Sequence, residues 1–309
     1  MRLTTAAPTK AVAAVLAAAT LGVMAAPAPV AAASNAAFVQ PQLPSVLDRH
    51  KAIATEVLKR LFEHGDASVV DRYIRPDYIQ HNPLAPNGTA ALKAFAVPLA
   101  KQFPGLKYDI KRVLAEGDLV LVHSNLVLVP GTRGTAVVDI FRFDRDGRIA
   151  EHWDASQNVP DTSVNGNDMF STVSSPRTNQ PGPRWWTPFS EAVVTGYFDR
   201  LLGGKDTAAV AALAPEYHQH NPAIPNGTAG LAELFAGLFR QFPNLTVERK
   251  RVIAEGDLVA IHAHYRTGPD DRGQSVVDIF RVRADGKIVE HWDVVQDVPA
   301  TSANDNTMF

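Results

Sequence analysis

Asp139 is the residue in this 309-residue chain that most needs a chemical explanation, because it interrupts the apolar run Val137-Val138-Asp139-Ile140-Phe141. Neither strand propensity nor burial favours a carboxylate there. Shortly after it comes Glu151-His152-Trp153-Asp154, and the same residues return as Asp278, His291 and Asp293. Two carboxylates on one apolar face repel each other. Either one keeps its proton above the usual value of about 4, or an imidazole between them becomes cationic, and both outcomes make a general acid/base.

The intervening turn predicts how these residues meet. Asp146-Gly147 and Asp285-Gly286 are hairpin dipeptides between strand-like runs. A two-residue type I′ loop pairs Arg145 with Arg148. That register places Phe143 opposite Ala150, Arg142 opposite Glu151, Phe141 opposite His152, Ile140 opposite Trp153 and Asp139 opposite Asp154. Alternation then puts Asp139, His152, Asp154, Phe141 and Phe143 on one face, and an ion pair with an aromatic pair on the other, structural face.

Further candidates gather around this face. His123 and His262 follow Glu-Gly-Asp-Leu-Val on the preceding strand and are expected as acid/base members of the pocket. His81 and Asn82, with His220 and Asn221, occupy loops at its mouth; Phe141 and Phe280 form its wall; Gln157 and Gln296 end the last strands with amides suited to a carbonyl or hydroxyl. Metal-ligand spacing of the HExxH or HxH kind is absent, so no metal is expected. Neither a Gly-rich phosphate loop, nor a serine nucleophile elbow, nor a dinucleotide fingerprint occurs.

Composition narrows the classes further. Thirty Lys and Arg against 32 Asp and Glu, a net charge of −2, provide no electrostatic footprint for nucleic acid. Zero cysteines exclude thiol nucleophiles, disulfides and thiolate metal sites. Arg2 and Lys10 precede the apolar run Ala11 to Ala26, and small residues lead to Ser34. This predicts a cleaved signal peptide over 1–33, a secreted or periplasmic mature chain, and no membrane association after cleavage.

The elements that must position the candidates are written twice. Tyr78 to Phe170 lies on Tyr217 to Phe309 without a gap, with about 51 identities in about 93 positions. Two domains are therefore expected, 45–170 and 187–309, joined by a Ser-, Pro- and Gly-rich linker, 171–186. Each opens with a helical face, Ile53, Val57, Leu58, Leu61 and Phe62 in the first, and Val193, Val194, Tyr197, Phe198, Leu201 and Leu202 in the second. A short helix around Val69 to Ile74 ends at Pro76, and a third runs from Thr89 to Pro104. From Leu106 the period becomes strand-like, through Tyr108 to Val129, Ala136 to Phe143 and Arg148 to Gln157. The fold class is α+β, three helices on one face of a curved antiparallel sheet, in tandem.

The combination YxQHNP, PNG-helix-FP, KRVxAEGDLVxxH, VVDIFR and DGxIxEHWDxxQxVP, present in both halves, resembles the SnoaL-like polyketide cyclases of the nuclear transport factor 2-like, ketosteroid-isomerase-like superfamily. The resemblance covers 50–170 and 189–309. It implies a cone-shaped fold, a pocket needing no cofactor, and an intramolecular aldol condensation in which an Asp removes a proton beside a carbonyl. By position, that Asp maps onto Asp139 and Asp278 and its His partner onto His123 and His262. The expected ligand is a small apolar carbonyl compound. A non-catalytic carrier using the same cavities, and a division into one catalytic and one architectural copy, stay open as alternatives. The two units are expected to dock through their sheets as an intramolecular pseudo-dimer.

Overall fold

The computed structural model describes residues 44–309; the expected signal segment, 1–33, lies outside the described residues. The first repeat runs α1 (Val46–Leu58), a π-helical turn (Lys59–Glu63), α2 (Ser68–Tyr73), β1 (Ile74–Gln80), α3 (Thr89–Gln102), β2 (Lys107–Glu116), β3 (Leu119–Val127), β4 (Thr135–Phe143) and β5 (Ile149–Asn158). The second runs α4 (Thr187–Phe198), another π-helical turn, a 3₁₀ segment (Thr207–Ala212) in place of α2, β6 (Leu213–Gln219), α5 (Leu231–Gln241), β7 (Thr246–Glu255), β8 (Leu258–Arg266), β9 (Gln274–Val282) and β10 (Ile288–Asp297).

Ser45 caps α1 by accepting from the backbone N–H of Asp48, and the helix buries Ala54, Val57 and Leu58 along one stripe. Strand order is β1-β5-β4-β3-β2 in the first sheet and β6-β10-β9-β8-β7 in the second. Strands β2 to β5 form the expected antiparallel meander. β1 was not expected: it lies parallel to β5 at the sheet edge, where the segment around Pro76 reads as a helix end and loop. An edge strand tolerates proline, which has no N–H to give to a ladder.

The β4–β5 hairpin reaches the expected register by another route. Among its turn residues only Gly147 has positive φ, +77°, and Gly147 N donates to Asp144 O while Asp144 N donates to Arg148 O. That is a three-residue loop with Gly at its left-handed position rather than a type I′ turn. It sets Phe143 opposite Ile149, and a bulge at Ala150 then restores Arg142 opposite Glu151 and Asp139 opposite Asp154.

Each sheet has two covered faces. One packs against its own helices around Leu58, Leu61, Val122, Phe141 and Ile149, or around Phe198, Leu201, Ile261, Phe280 and Ile288. The other faces the opposite sheet: Leu121, Val138, Ile140 and Trp153 meet Ala260, Val277, Ile279 and Trp292 in a shared apolar layer. Arg251 lies 3.6 Å over the Trp153 ring and Arg112 3.6 Å over Trp292, cation–π contacts made symmetrically across the interface.

Candidate active site

β4 and β5 oppose Asp139 to Asp154 and Phe141 to His152, so alternation turns all four toward α1–α3. They line a cavity of about 190 Å³ with Tyr78, Gln80, Asn82, Leu92 and Tyr108 among its other walls. The second repeat encloses about 300 Å³ around Asp278, Phe280, His291 and Asp293. Larger hollows on the surface, such as the one between His50 and Gly147, hold none of these groups.

The polar groups form one connected chain. The backbone N–H of Asn82 donates to Gln80 Oε1 at 2.9 Å, which fixes the amide, and His152 Nδ1 meets the same oxygen at 2.9 Å. Nδ1 therefore carries a hydrogen, and Nε2 faces Asp139 Oδ1 at 3.0 Å. Asn82 Nδ2 donates to Asp154 Oδ2 at 2.5 Å. Asp139 Oδ2 and Asp154 Oδ1 are buried without a hydrogen-bond partner among the described residues. An incoming ligand can satisfy both.

The electrostatics favour proton exchange at neutral pH. Burial raises the Asp154 carboxyl to about 6, with the charge of Asp139 adding to it and His152 and Asn82 pulling back. For His152 burial acts downward, but the hydrogen bond it donates to Asp139 and the charges of Asp154 and Asp139 outweigh it and lift the imidazole above its ordinary value. Both directions keep a proton within the cluster. Asp293, also raised to about 6 by burial, and His291, also lifted, repeat the arrangement.

The repeats differ in one tyrosine. Tyr108 on β2 faces Leu126 on β3, whereas Val247 on β7 faces Tyr265 on β8. The phenol has crossed the ladder, and Tyr265 OH donates to Asp278 Oδ2 at 2.9 Å. In the second cavity both Asp278 oxygens are thereby occupied, leaving Asp293 Oδ1 as the unpartnered one.

Several expected site residues lie elsewhere. His123 pairs with Val138, not Asp139, and so points to the sheet–sheet face, where it contacts Arg112 at 3.0 Å and the Phe170 ring. His262 is there too, bonded to Ser275. Burial, with a nearby arginine, depresses both imidazoles, His262 to about 3. The histidine beside Asp139 is His152. Gln157 and Gln296 also cross the interface: Gln157 Oε1 accepts from Val295 N and Gln296 Oε1 from Ser156 N. His81 stacks on Trp153 and bonds Glu151, and His220 does the same with Trp292 and Glu290, outside both cavities. Asn82, Asn221, Phe141 and Phe280 line the cavities.

Gln80 and Gln219, with Tyr78 and Tyr217, are the site residues that sequence reasoning missed. Their signal was present: Tyr78, Gln80 and Asn82 recur every second residue, the spacing of one strand face.

Ligating atoms of Asp139, His152 and Asp154 lie within 4.8 Å of one another, as do those of Asp278, His291 and Asp293. Both ring nitrogens of His152 are already engaged, with Gln80 and Asp139, so a cation would have to displace the Asp139 contact.

Fold and site together define a duplicated α+β protein whose helix-covered sheets bury an Asp–His–Asp cluster in apolar cavities. The SnoaL-like domain model matches residues 55–152 and 194–291, and the chain belongs to that family. A probable cyclase, otaY, of Aspergillus carbonarius is 30% identical over 110 residues, covering 34% of this chain and 85% of its own length. Similar solved structures include a nuclear transport factor 2-like protein of unknown function from Mesorhizobium loti, 22% identical, covering 36% of this chain and 93% of that one, TM-score 0.32. A SnoaL-like protein of unknown function from Burkholderia thailandensis is 17% identical, covering 35% and 95%, TM-score 0.31.

Proposed function

We propose that the chain is a cofactor-independent acid/base enzyme of the aldol-cyclase or isomerase type, acting on a small apolar carbonyl compound. The observation that carries this reading is the buried Asp–His–Asp cluster, repeated in both cavities, with a carboxyl raised to about 6 and a carboxylate oxygen left unpartnered.

In this reading Asp154, and Asp293 in the second repeat, takes the proton. Its Oδ1 is the unpartnered oxygen common to both cavities, and a base works best with a pKa near the operating pH. Asp139 and Asp278 orient the imidazole, a departure from the role the resemblance implies. The base removes a hydrogen beside the carbonyl, and the C–H electron pair passes into an enolate. The enolate carbon then attacks a second carbonyl, and the resulting alkoxide takes up the proton. Apolar walls strengthen each of these interactions by excluding water.

The two sheets face each other as the subunits of a homodimer would, which supports the pseudo-dimer reading. The N-terminal pattern supports action of the mature chain outside the cytoplasm, and N-terminal mass analysis of exported protein checks that.

The enzymatic test is deuterium uptake. An aryl ketone whose α-hydrogens exchange slowly is incubated with protein in D₂O and followed by mass spectrometry. Wild type should accelerate exchange, and the double variant Asp154→Asn, Asp293→Asn should lose it while remaining folded. A ligand that binds but takes up no deuterium would point to the carrier alternative.

A further inference from the structure

The segments that follow the last strand of each repeat cross to the other repeat's site loop. Asn304 Nδ2 donates to the carbonyls of Asn82 and Ala85, both at 2.8 Å. Asn306 Nδ2 donates to Gln80 O and to Asn87 Oδ1, both at 2.9 Å, and His81 Nδ1 donates to Thr307 O at 2.6 Å. The reciprocal set is complete. Asn165 Nδ2 donates to Asn221 O at 2.6 Å and Ile224 O at 2.8 Å, Asn167 Nδ2 to Gln219 O and Asn226 Oδ1 at 3.0 Å, and His220 Nδ1 bonds Asp168 O.

The loops held in this way carry the two amides that touch the cluster. Gln80 bonds His152 and Asn82 bonds Asp154 in the first cavity; Gln219 and Asn221 do so in the second. Each tail fastens, through side-chain amide donors, the backbone carbonyls of those same residues and of the residue three positions after Asn82 or Asn221. Packing alone would not call for the Asn-x-Asn pair: Met169 and Phe170, with Met308, already bury the apolar part of each tail.

We infer that each tail is a positioning element for the other repeat's site, so that Asn304 and Asn306 set the geometry of Asp139, His152 and Asp154, while Asn165 and Asn167 set that of Asp278, His291 and Asp293. Neither cavity is finished by its own repeat. This explains why two copies stay on one chain and why His81 and His220, though outside the cavities, sit in the same motif as Gln80 and Asn82. The inference rests on the cluster being the functional site, as proposed above, but its readout is titration rather than turnover, so a protein inert in the deuterium assay would leave it standing.

The full chain provides its own control. Histidine-labelled protein is titrated by NMR, following His152, which faces Asp139 and Asp154 with Tyr78 and Tyr108 nearby, and His291, which faces Asp278 and Asp293 with Tyr217 and Tyr265 nearby. In Asn304→Ala, Asn306→Ala the His152 midpoint is expected to fall by about half a unit or more, because the Gln80 contact to Nδ1 loosens, while His291 keeps its wild-type midpoint. Asn165→Ala, Asn167→Ala should give the mirror image. Should a double variant fail to fold, Asn306→Ala and Asn167→Ala alone provide the same comparison with a smaller shift. Equal movement of both histidines, or of neither, would overturn the inference.

Discussion

Replacing Asn82 and Asn221 by alanine removes the only side-chain donor among the described residues on Asp154 Oδ2 and Asp293 Oδ2, bonds of 2.5 and 2.6 Å. A hydrogen bond to a charged group contributes about 1.5–3 kcal/mol, which corresponds to about one to two pKa units. Since the amide favours the ionised form, its loss raises the carboxyl further, from about 6 to between about 7 and 8. If this carboxylate is the base, its ionised fraction at pH 7 falls from about nine-tenths to between about half and one-tenth, a two- to ten-fold loss of rate. Above pH 9 the loss should vanish. The assay is the pH profile of deuterium exchange for the double variant beside wild type. A profile lowered equally at every pH, with its acid limb unmoved, would refute the argument, because the amide would then act through cavity shape and not through the carboxylate's proton.

Three further outcomes follow from the same geometry. His262 is held near 3 by burial and Arg251, against about 6.5 in an unfolded chain, so its contribution is present above pH 6.5 and lost as pH falls; at pH 5 it removes about 2 kcal/mol. Urea denaturation at pH 7 and 5 should show His262→Gln less sensitive to acid than wild type, and equal sensitivity would count against a buried neutral imidazole. Tyr265→Phe leaves Asp278 Oδ2 without its donor and should cost about 1–3 kcal/mol, read as a fall of several degrees in Tm, whereas Tyr108→Phe removes no bond to Asp139. Because both nitrogens of His152 are engaged, deuterium exchange should be unchanged after exhaustive dialysis against EDTA; loss that zinc or magnesium restores would place a cation in the cluster.

Much of the architecture was legible from the repeat and from the change of period at Leu106. The site was legible where a short turn fixed the register: Asp139, His152 and Asp154 are placed together by one hairpin, and the one extra residue in its loop was compensated by the bulge at Ala150. His123 was misplaced because the connection through Pro130 to Gly134 leaves the β3–β4 register undefined in sequence, and a slip of one residue reverses the face. β1 was hidden by Pro76, which disguises an edge strand as a broken helix.

The residues misassigned to the pocket share one property: His81, His123 and Gln157 are identical in the two repeats, and each contributes to contact between them. His81 bonds Thr307, His123 bonds the Arg112 that covers Trp292, and Gln157 bonds Val295. Identity between tandem copies therefore cannot separate a catalytic residue from one that holds the copies together, since a reciprocal interface constrains both copies as strongly as a shared chemistry does. Strand parity can separate them. On β5, His152, Asp154 and Ser156 line the cavity while Trp153, Ala155 and Gln157 face the other sheet. Of two adjacent polar residues in such a strand only one can reach the ligand, and the hairpin register decides which.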